Sequence, residues 1–217
     1  MGTYEQNAIN KVKRGANRAS YDEAVVHEIL DDAFLCHLAY LWEGRPVVIP
    51  TAYGREGETI YIHGAVANRM INGLIDAGQA SMTVTHLDGL VLARSGFHHS
   101  ANYRSVSVFG KVKKLERTEE KTHALKVIMD HMLPGRWEEC RAPSVKELKG
   151  TLVVAIEIEF ATAKIRKGGP IDDEEDYASP YWAGQIPMTL ESHPAISDEL
   201  LQKPIPIPDS VINHLNQ

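Results

Sequence analysis

Residues 58–70 read ETIYIHGAVANRM, in which alternating Ile60 and Ile62 mark a strand running through His63-Gly64 into a helix start that bears Asn68 and Arg69. Free backbone N–H groups and the helix dipole favour an anion at such a start, and an arginine in the first turn adds a full charge. A second block, FHHSANYRSVSVFGKV (97–112), places His98, His99, Ser100, Asn102, Tyr103, Arg104 and Ser105 at the entrance to another alternating segment. Arg69 and Arg104 are the candidate phosphate ligands, because a guanidinium meets a phosphate dianion bidentately. Asn68 and Ser105 stand beside them as further donors. Two basic, hydroxyl-rich corners point to one phosphorylated ligand.

His63 titrates close to neutrality, which makes it the candidate catalytic residue, a proton donor to a bound molecule. His98-His99 invites a metal, but adjacent residues on a strand face opposite sides and cannot both grip one ion without a bend, and no Asp, Glu or Cys cluster completes a site. No metal site is expected there. One of the two, with Ser100, Asn102 and Tyr103, is expected to touch the ligand. Trp182 lies in YWAGQIPM, a segment with too few apolar residues to bury it within its own element, and reads as a lid over a ring system or a subunit contact. The chain has no G-x-S-x-G elbow, no Gly-Lys-Ser phosphate loop and no dinucleotide glycine fingerprint. Any chemistry is therefore expected from a cofactor that the protein positions.

Composition narrows the partners. The 217 residues carry a net charge of −6 and 43% hydrophobic residues, enough for an ordinary core, and the basic residues are scattered rather than striped. Nucleic acid is not an expected partner, since backbone binding needs a clustered basic face. Cys36 and Cys140 show neither metal spacing nor a disulfide framework, which fits a reducing cytoplasm. With no signal-like run at the start and no apolar stretch of membrane-spanning length, a soluble, cytoplasmic protein without membrane contact is expected.

Periodicity and capping outline the elements. Residues 1–19 are polar and basic without an apolar period and read as an arm. Ser20 and Glu23 have capping-box spacing ahead of Val25, Val26, Ile29 and Leu30, which predicts a helix over 21–31. Strands are predicted over 33–41, 47–53 and 59–63, with a turn at Gly44-Arg45-Pro46 and a hairpin loop over 54–57. A helix over 66–77 stops at Gly78. Strands over 80–86 and 90–95 flank a turn at Asp88-Gly89, and a third runs over 104–115. Thr118 opens a helix with Ala124, Leu125, Ile128 and Met132 on one face. Ser144 and Glu147 cap a short turn, TLVVAIEIEF (151–160) alternates as the clearest strand, and beyond Ser192 only a short terminal helix is expected. Six or seven antiparallel strands with interspersed helices describe an α+β, mainly β protein, a closed or split β-barrel. So small a barrel fills its interior with side chains, so a ring-shaped cofactor must lie outside it.

The segments YDEAVVHEILDDAFLCHLAY, GRPVVIPTAYG, IYIHGAVANRM, FHHSANYRSVSVFGKV, LPGRW and PIDDEEDYASPYWAGQIPM, in this order and spacing, resemble the flavin-nucleotide-binding branch of the pyridoxamine 5'-phosphate oxidase-like superfamily, which includes the nitroimidazole-reductase-type resistance proteins. The likeness covers roughly residues 14–190. It implies a six- to seven-stranded antiparallel split β-barrel of the FMN-binding type over 20–190, with 1–19 as an arm and 191–217 as a tail. It also implies a homodimer with FMN in the groove shared by the subunits, the flavin ring against the strand end at Pro50, Thr51 and Tyr53, and Trp182 as its lid. The implied function is an FMN-binding oxidoreductase that passes electrons from reduced flavin to a small acceptor such as a nitro compound, a quinone-like molecule or oxygen. The alternatives are a non-catalytic flavin or haem carrier or sensor and, further off, a deazaflavin-dependent reductase. Pyridoxamine phosphate oxidation itself is disfavoured, because the chain ends in PIPIPDSVINHL rather than a basic substrate-binding tail.

Overall fold

The computed structural model describes residues 2–202 and 205–216. In chain order the elements begin with β1 (Ala19–Ser20), α1 (Glu23–Asp31), β2 (Leu35–Trp42), β3 (Arg45–Ala52), β4 (Gly54–Glu56), β5 (Thr59–Ala65) and α2 (Arg69–Ala77). They continue with β6 (Gln79–Leu92), β7 (Ser100–Lys114), α3 (Thr118–Met132), α4 (Val145–Lys149), β8 (Thr151–Arg166), β9 (Gly184–Pro187) and α5 (Asp209–Leu215). Hydrogen bonding orders the strands β3-β2-β6-β7-β8-β5-β4, with the short β1 added on β8 and β9 on β6. The seven-stranded path ends in β3 and β4 without closing, so the barrel is split. No described helix is long and apolar enough to cross a membrane.

The chain divides into two compact units: Met1–Ala33, Met82–Phe109 and Glu159–Leu190 form the first, and Phe34–Ser81, Gly110–Ile158 and Glu191–Gln217 the second. In the second unit, β2 and β3 pair from Leu35 opposite Ala52 to Trp42 opposite Arg45. Their connection is Glu43-Gly44, with positive φ at both (49° and 74°), one residue earlier than the Gly44-Arg45-Pro46 turn expected. Two successive positive φ values give a turn whose twist matches the strands it joins. Residues 54–56, expected as loop, form β4, and the hairpin turns at Gly57-Glu58 instead. Helix α3 lies against this hairpin so closely that a Cβ on Gly54 would stand 2.6 Å from Ile128 Cα. Beneath it Leu115, Ala124, Val153 and Ala155 form a buried cluster with Tyr61 and Leu125 packed against it.

The first unit departs further from expectation. Helix α1 is capped by Asp22, whose carboxylate accepts from the Ala24 N–H at 2.8 Å, so the helix starts two residues later than the Ser20/Glu23 pattern suggested. Residues 2–19 are no free arm: Tyr4 is buried, and the buried Asn10 side chain donates to the carbonyls of Glu5 and Ala161. The two strands expected on either side of Asp88-Gly89 are one strand, β6. Gly89 lies within it because β9 pairs there, with Gly89 opposite Pro187, and a Cβ would meet the Ile186 carbonyl oxygen at 2.7 Å. Glycine in a strand reads equally well as a turn or as a point of close approach, and only the pairing partner decides. Strand β8 likewise runs six residues past Phe160, since Ala163 and Lys164 pair with β1.

Candidate functional site

The predicted helix-start corner lies in the second unit. Asn68 caps α2, its side-chain oxygen accepting from the Ile71 N–H at 3.1 Å, so the helix begins at Arg69 rather than at residue 66. Met70, Ile71 and Leu74 bury the opposite face, and Gly78, left-handed at φ 65°, closes the helix as expected. Arg69 is thereby set in the first turn, exposed, where the helix dipole already favours anions. Its guanidinium carbon stands 5.1 Å from the centroid of the Trp42 ring, and no carboxylate pairs with it among the described residues. A surface cation held by an aromatic face rather than by an acid keeps its charge available. The donor set, one unneutralised guanidinium beside open helical amides, fits a phosphate monoester or an equivalent oxyanion.

The other candidates of this unit divide in two. Pro50 is exposed and Thr51 half-buried on β3, an end strand whose outer edge has no strand partner among the described residues. Such an edge presents backbone donors and acceptors to a ligand. Tyr53 differs: its N–H donates to the Phe34 carbonyl at 3.0 Å, and its ring is fully buried against His131, centroids 4.9 Å apart. Its side chain belongs to the core. His63, on β5 opposite Val153, is exposed at the surface, yet the protein around it removes enough water to lower its pKa below the ordinary histidine value. It is therefore mostly neutral at pH 7.

The first unit holds the second basic corner, in a different electrostatic state. Arg104 is gripped by two carboxylates: its Nε and one terminal nitrogen reach Asp88 at 3.2–3.3 Å, and the other terminal nitrogen pairs with Asp32. Hydrogen bonding to Asp88, then to Asp32, raises its pKa. An anion here must displace a carboxylate. These three residues line a cleft of about 610 Å³ with His86, Met188 and Leu190, within the usual size of small-molecule sites. Ser105 gives its hydroxyl proton to the Lys164 carbonyl. Asn102 is buried and spends both ends of its amide, donating to Gln185 at 2.7 Å and accepting from Arg166. Ser100 and Tyr103 are half-buried on β7, Tyr103 close enough to Arg166 to act on it electrostatically.

His98 and His99 are not on a strand. His98 ends a 3₁₀ turn, Gly96–His98, and His99 caps it, so the alternation of faces expected of a strand does not apply to the pair. His98 Nε2 lies 3.1 Å from Asp173, and His99 Nδ1 lies 3.0 Å from the Ser95 carbonyl. Trp182 is 68% exposed, and its indole covers Gly184, where a Cβ would stand 2.7 Å from the ring. Trp42, Asp32, Asp88 and Arg166 escaped sequence reasoning. The bonds the last three make to other side chains span 16 to 72 residues, and no local pattern marks any of the four.

The fold is a split antiparallel β-barrel of α+β class in which the first turn of α2 presents an arginine with no carboxylate partner among the described residues. The sequence model of the pyridoxamine 5'-phosphate oxidase family matches residues 22–165, and the chain belongs to that family. Among solved structures it is similar to a flavocytochrome from Azotobacter vinelandii, 37% identical with a TM-score of 0.91, covering 95% of this chain and 96% of that one. It is also similar to an FAD and haem binding protein from Mycobacterium smegmatis, 33% identical with a TM-score of 0.85, over 90% and 96% of the two chains. A protein of Bacteroides thetaiotaomicron assigned to 5-nitroimidazole antibiotic resistance is 26% identical, with a TM-score of 0.58 over 68% and 86%. No curated protein matches the sequence.

Proposed function

We propose that this chain is a flavin-binding oxidoreductase that holds FMN and passes electrons from the reduced flavin to a small acceptor. The observation that carries the reading is Arg69, an unneutralised cation in the first turn of α2, set on Trp42. One such corner suits one terminal phosphate, which is why FMN is preferred here to a dinucleotide. Flavin chemistry of either kind is supported by the two near full-length relatives, named as a flavocytochrome and as an FAD and haem binding protein.

When bound, the flavin supplies the electron transfer, and the residues position it. Arg69 and the α2 amides hold the phosphate, the outer edge of β3 around Pro50 and Thr51 meets the polar edge of the ring, and His63 offers an N–H to the acceptor. A second copy of the chain completes the groove from outside, making a homodimer. His63 is neutral at pH 7, so it acts as a hydrogen-bond donor there and as a loaded acid only in more acidic solution.

The second reading adds haem, and it rests on the haem or cytochrome in the names of the Azotobacter and Mycobacterium relatives, 37% and 33% identical. The visible spectrum of freshly purified protein, followed by mass analysis of the released ligand, separates the readings. FMN alone is expected. A Soret band establishes the flavohaem reading, FAD in the released ligand corrects the nucleotide, and a protein that neither carries nor takes up any flavin ends the proposal. Stopped-flow reoxidation of the reduced protein by nitro compounds, quinones and oxygen then tests catalysis. Flavin that no acceptor reoxidises faster than free flavin would leave a carrier.

A further inference from the structure

Residues 172–176 form an unbroken acidic run, Asp-Asp-Glu-Glu-Asp, in the first unit. Its first member is committed: Asp172 is buried, accepts from the backbone N–H groups of Arg94 and Ser95 at 3.0 and 3.2 Å, and pairs with the Arg94 guanidinium at 3.1 Å. That anchor carries the following residues over the turn Gly96–His98. As a result His98, Asp173 and Asp176 each bring one ligand atom within 4.8 Å of the others. The histidine and the carboxylates come from segments about 75 residues apart, and among the described residues no other group of three or more such side chains converges in this way.

The electrostatics of the trio are incomplete. Neither Asp173 nor Asp176 is ion-paired with an arginine or lysine among the described residues: Asp173 meets His98, and the neighbouring Arg94 guanidinium is held by Asp172 and the Tyr177 ring. Coulomb repulsion between the two carboxylates is relieved by a cation placed in the middle. His99 takes no part, because its Nδ1 faces the Ser95 carbonyl.

We propose that His98, Asp173 and Asp176 bind a divalent metal ion. Oxygen and nitrogen ligands about 2.0–2.2 Å from one ion stand roughly 3–4 Å apart, so the trio closes on an ion by small side-chain rotations. An imidazole with two carboxylates selects a borderline ion of the zinc class over magnesium, which is satisfied by oxygen alone and keeps its waters. The remaining coordination positions face solvent, Asp173 being exposed. The ion ties the acidic run to the turn ahead of β7. Its binding is independent of the flavin reading.

Calorimetric titration of the full-length protein, stripped with a chelator that is then removed, tests this with zinc chloride and, in parallel, magnesium chloride. One zinc per chain is expected, with magnesium much weaker. His98→Gln and Asp176→Asn should each weaken zinc by roughly tenfold or more. Zinc should raise the melting temperature of the parent and not of either variant. Absence of saturable zinc uptake by the parent overturns the proposal, as do variants that bind zinc as tightly as the parent. Cobalt(II) provides a check on the unmodified chain: bands of nitrogen and oxygen ligation are expected, and a thiolate charge-transfer band would move the metal to the exposed Cys140 and overturn it equally.

Discussion

Arg69 rests its guanidinium over the indole of Trp42, 5.1 Å from the ring centroid. The contact links the first turn of α2 to the last residue of β2, in the same unit. Arg104 makes the contrast, because Asp88 and Asp32 already neutralise it. Two arginines chosen from sequence for the same chemistry therefore stand in opposite electrostatic states, one offering charge and the other spending it.

Arg69→Ala is expected to weaken FMN binding by about 1.5–3 kcal/mol, roughly ten- to hundredfold, while riboflavin, which has no phosphate, is little affected. Trp42→Ala should cost about 0.5–1 kcal/mol, the worth of an exposed cation–π contact. Equilibrium titrations with both ligands measure the split. Equal losses for FMN and riboflavin would show that Arg69 does not act on the phosphate.

Arg104→Gln should lower stability by about 1 kcal/mol, an effect that shrinks as salt is added, because the ion pairs it breaks are partly exposed. Its effect on FMN relative to riboflavin should be smaller than that of Arg69→Ala. Chemical denaturation at low and high ionic strength, together with the same titrations, checks both halves. A selective loss of FMN matching that of Arg69→Ala would make Arg104 a phosphate ligand after all.

Gly54→Ala should destabilise the protein by about 1–3 kcal/mol or more, since its Cβ would fall 2.6–2.7 Å from the backbone of Val127 and Ile128 and neither strand nor helix can yield. Gly57→Ala on the same hairpin has open space around it, and its cost is the positive φ of 57° alone. Thermal melts should order Gly54→Ala as the less stable of the two.

The two thiols should differ sharply in reactivity. Cys36 is buried, and burial pushes its pKa up to about 12, so it supplies almost no thiolate at pH 8. Cys140 is exposed. A thiol reagent at pH 8 should modify Cys140 alone in the native protein and both after unfolding, as peptide mass mapping would reveal.

His63 predicts a pH dependence of definite sign. An unfolded histidine titrates near pH 6.5, and the folded value is lower, so below about 6.5 the unfolded chain binds more protons and stability falls as the pH falls toward the folded pKa. Above about 6.5 both states are neutral at this residue and the contribution vanishes. His63→Gln should remove that part of the acid-side decline in melting temperature. If His63 serves the acceptor, reoxidation of bound flavin should also lose a pH-dependent component below about pH 6.5 in the variant, with FMN still bound.

Much of the fold was legible because it is local. The Gly78 stop and the Ser144/Glu147 capping box depend on hydrogen bonds within a few residues, and the structure keeps both; residues 151–160 form a strand as expected, although Val153–Ile156 are buried in succession rather than alternately. The order of the motifs likewise carried the family and its split barrel. What the sequence could not settle were the choices made by residues distant along the chain. Gly89 became a point of close packing instead of a turn because β9 pairs across it, and residues 2–19 docked because Asn10 reaches Ala161. The phosphate corner shows the same limit. Residue type named both arginines, but a guanidinium's availability depends on which carboxylates the fold brings within about 4 Å, and Coulomb energy at that range does not depend on sequence separation. Asp32, 72 residues from Arg104, and Asp173, 75 from His98, were therefore set beside their partners by tertiary structure alone.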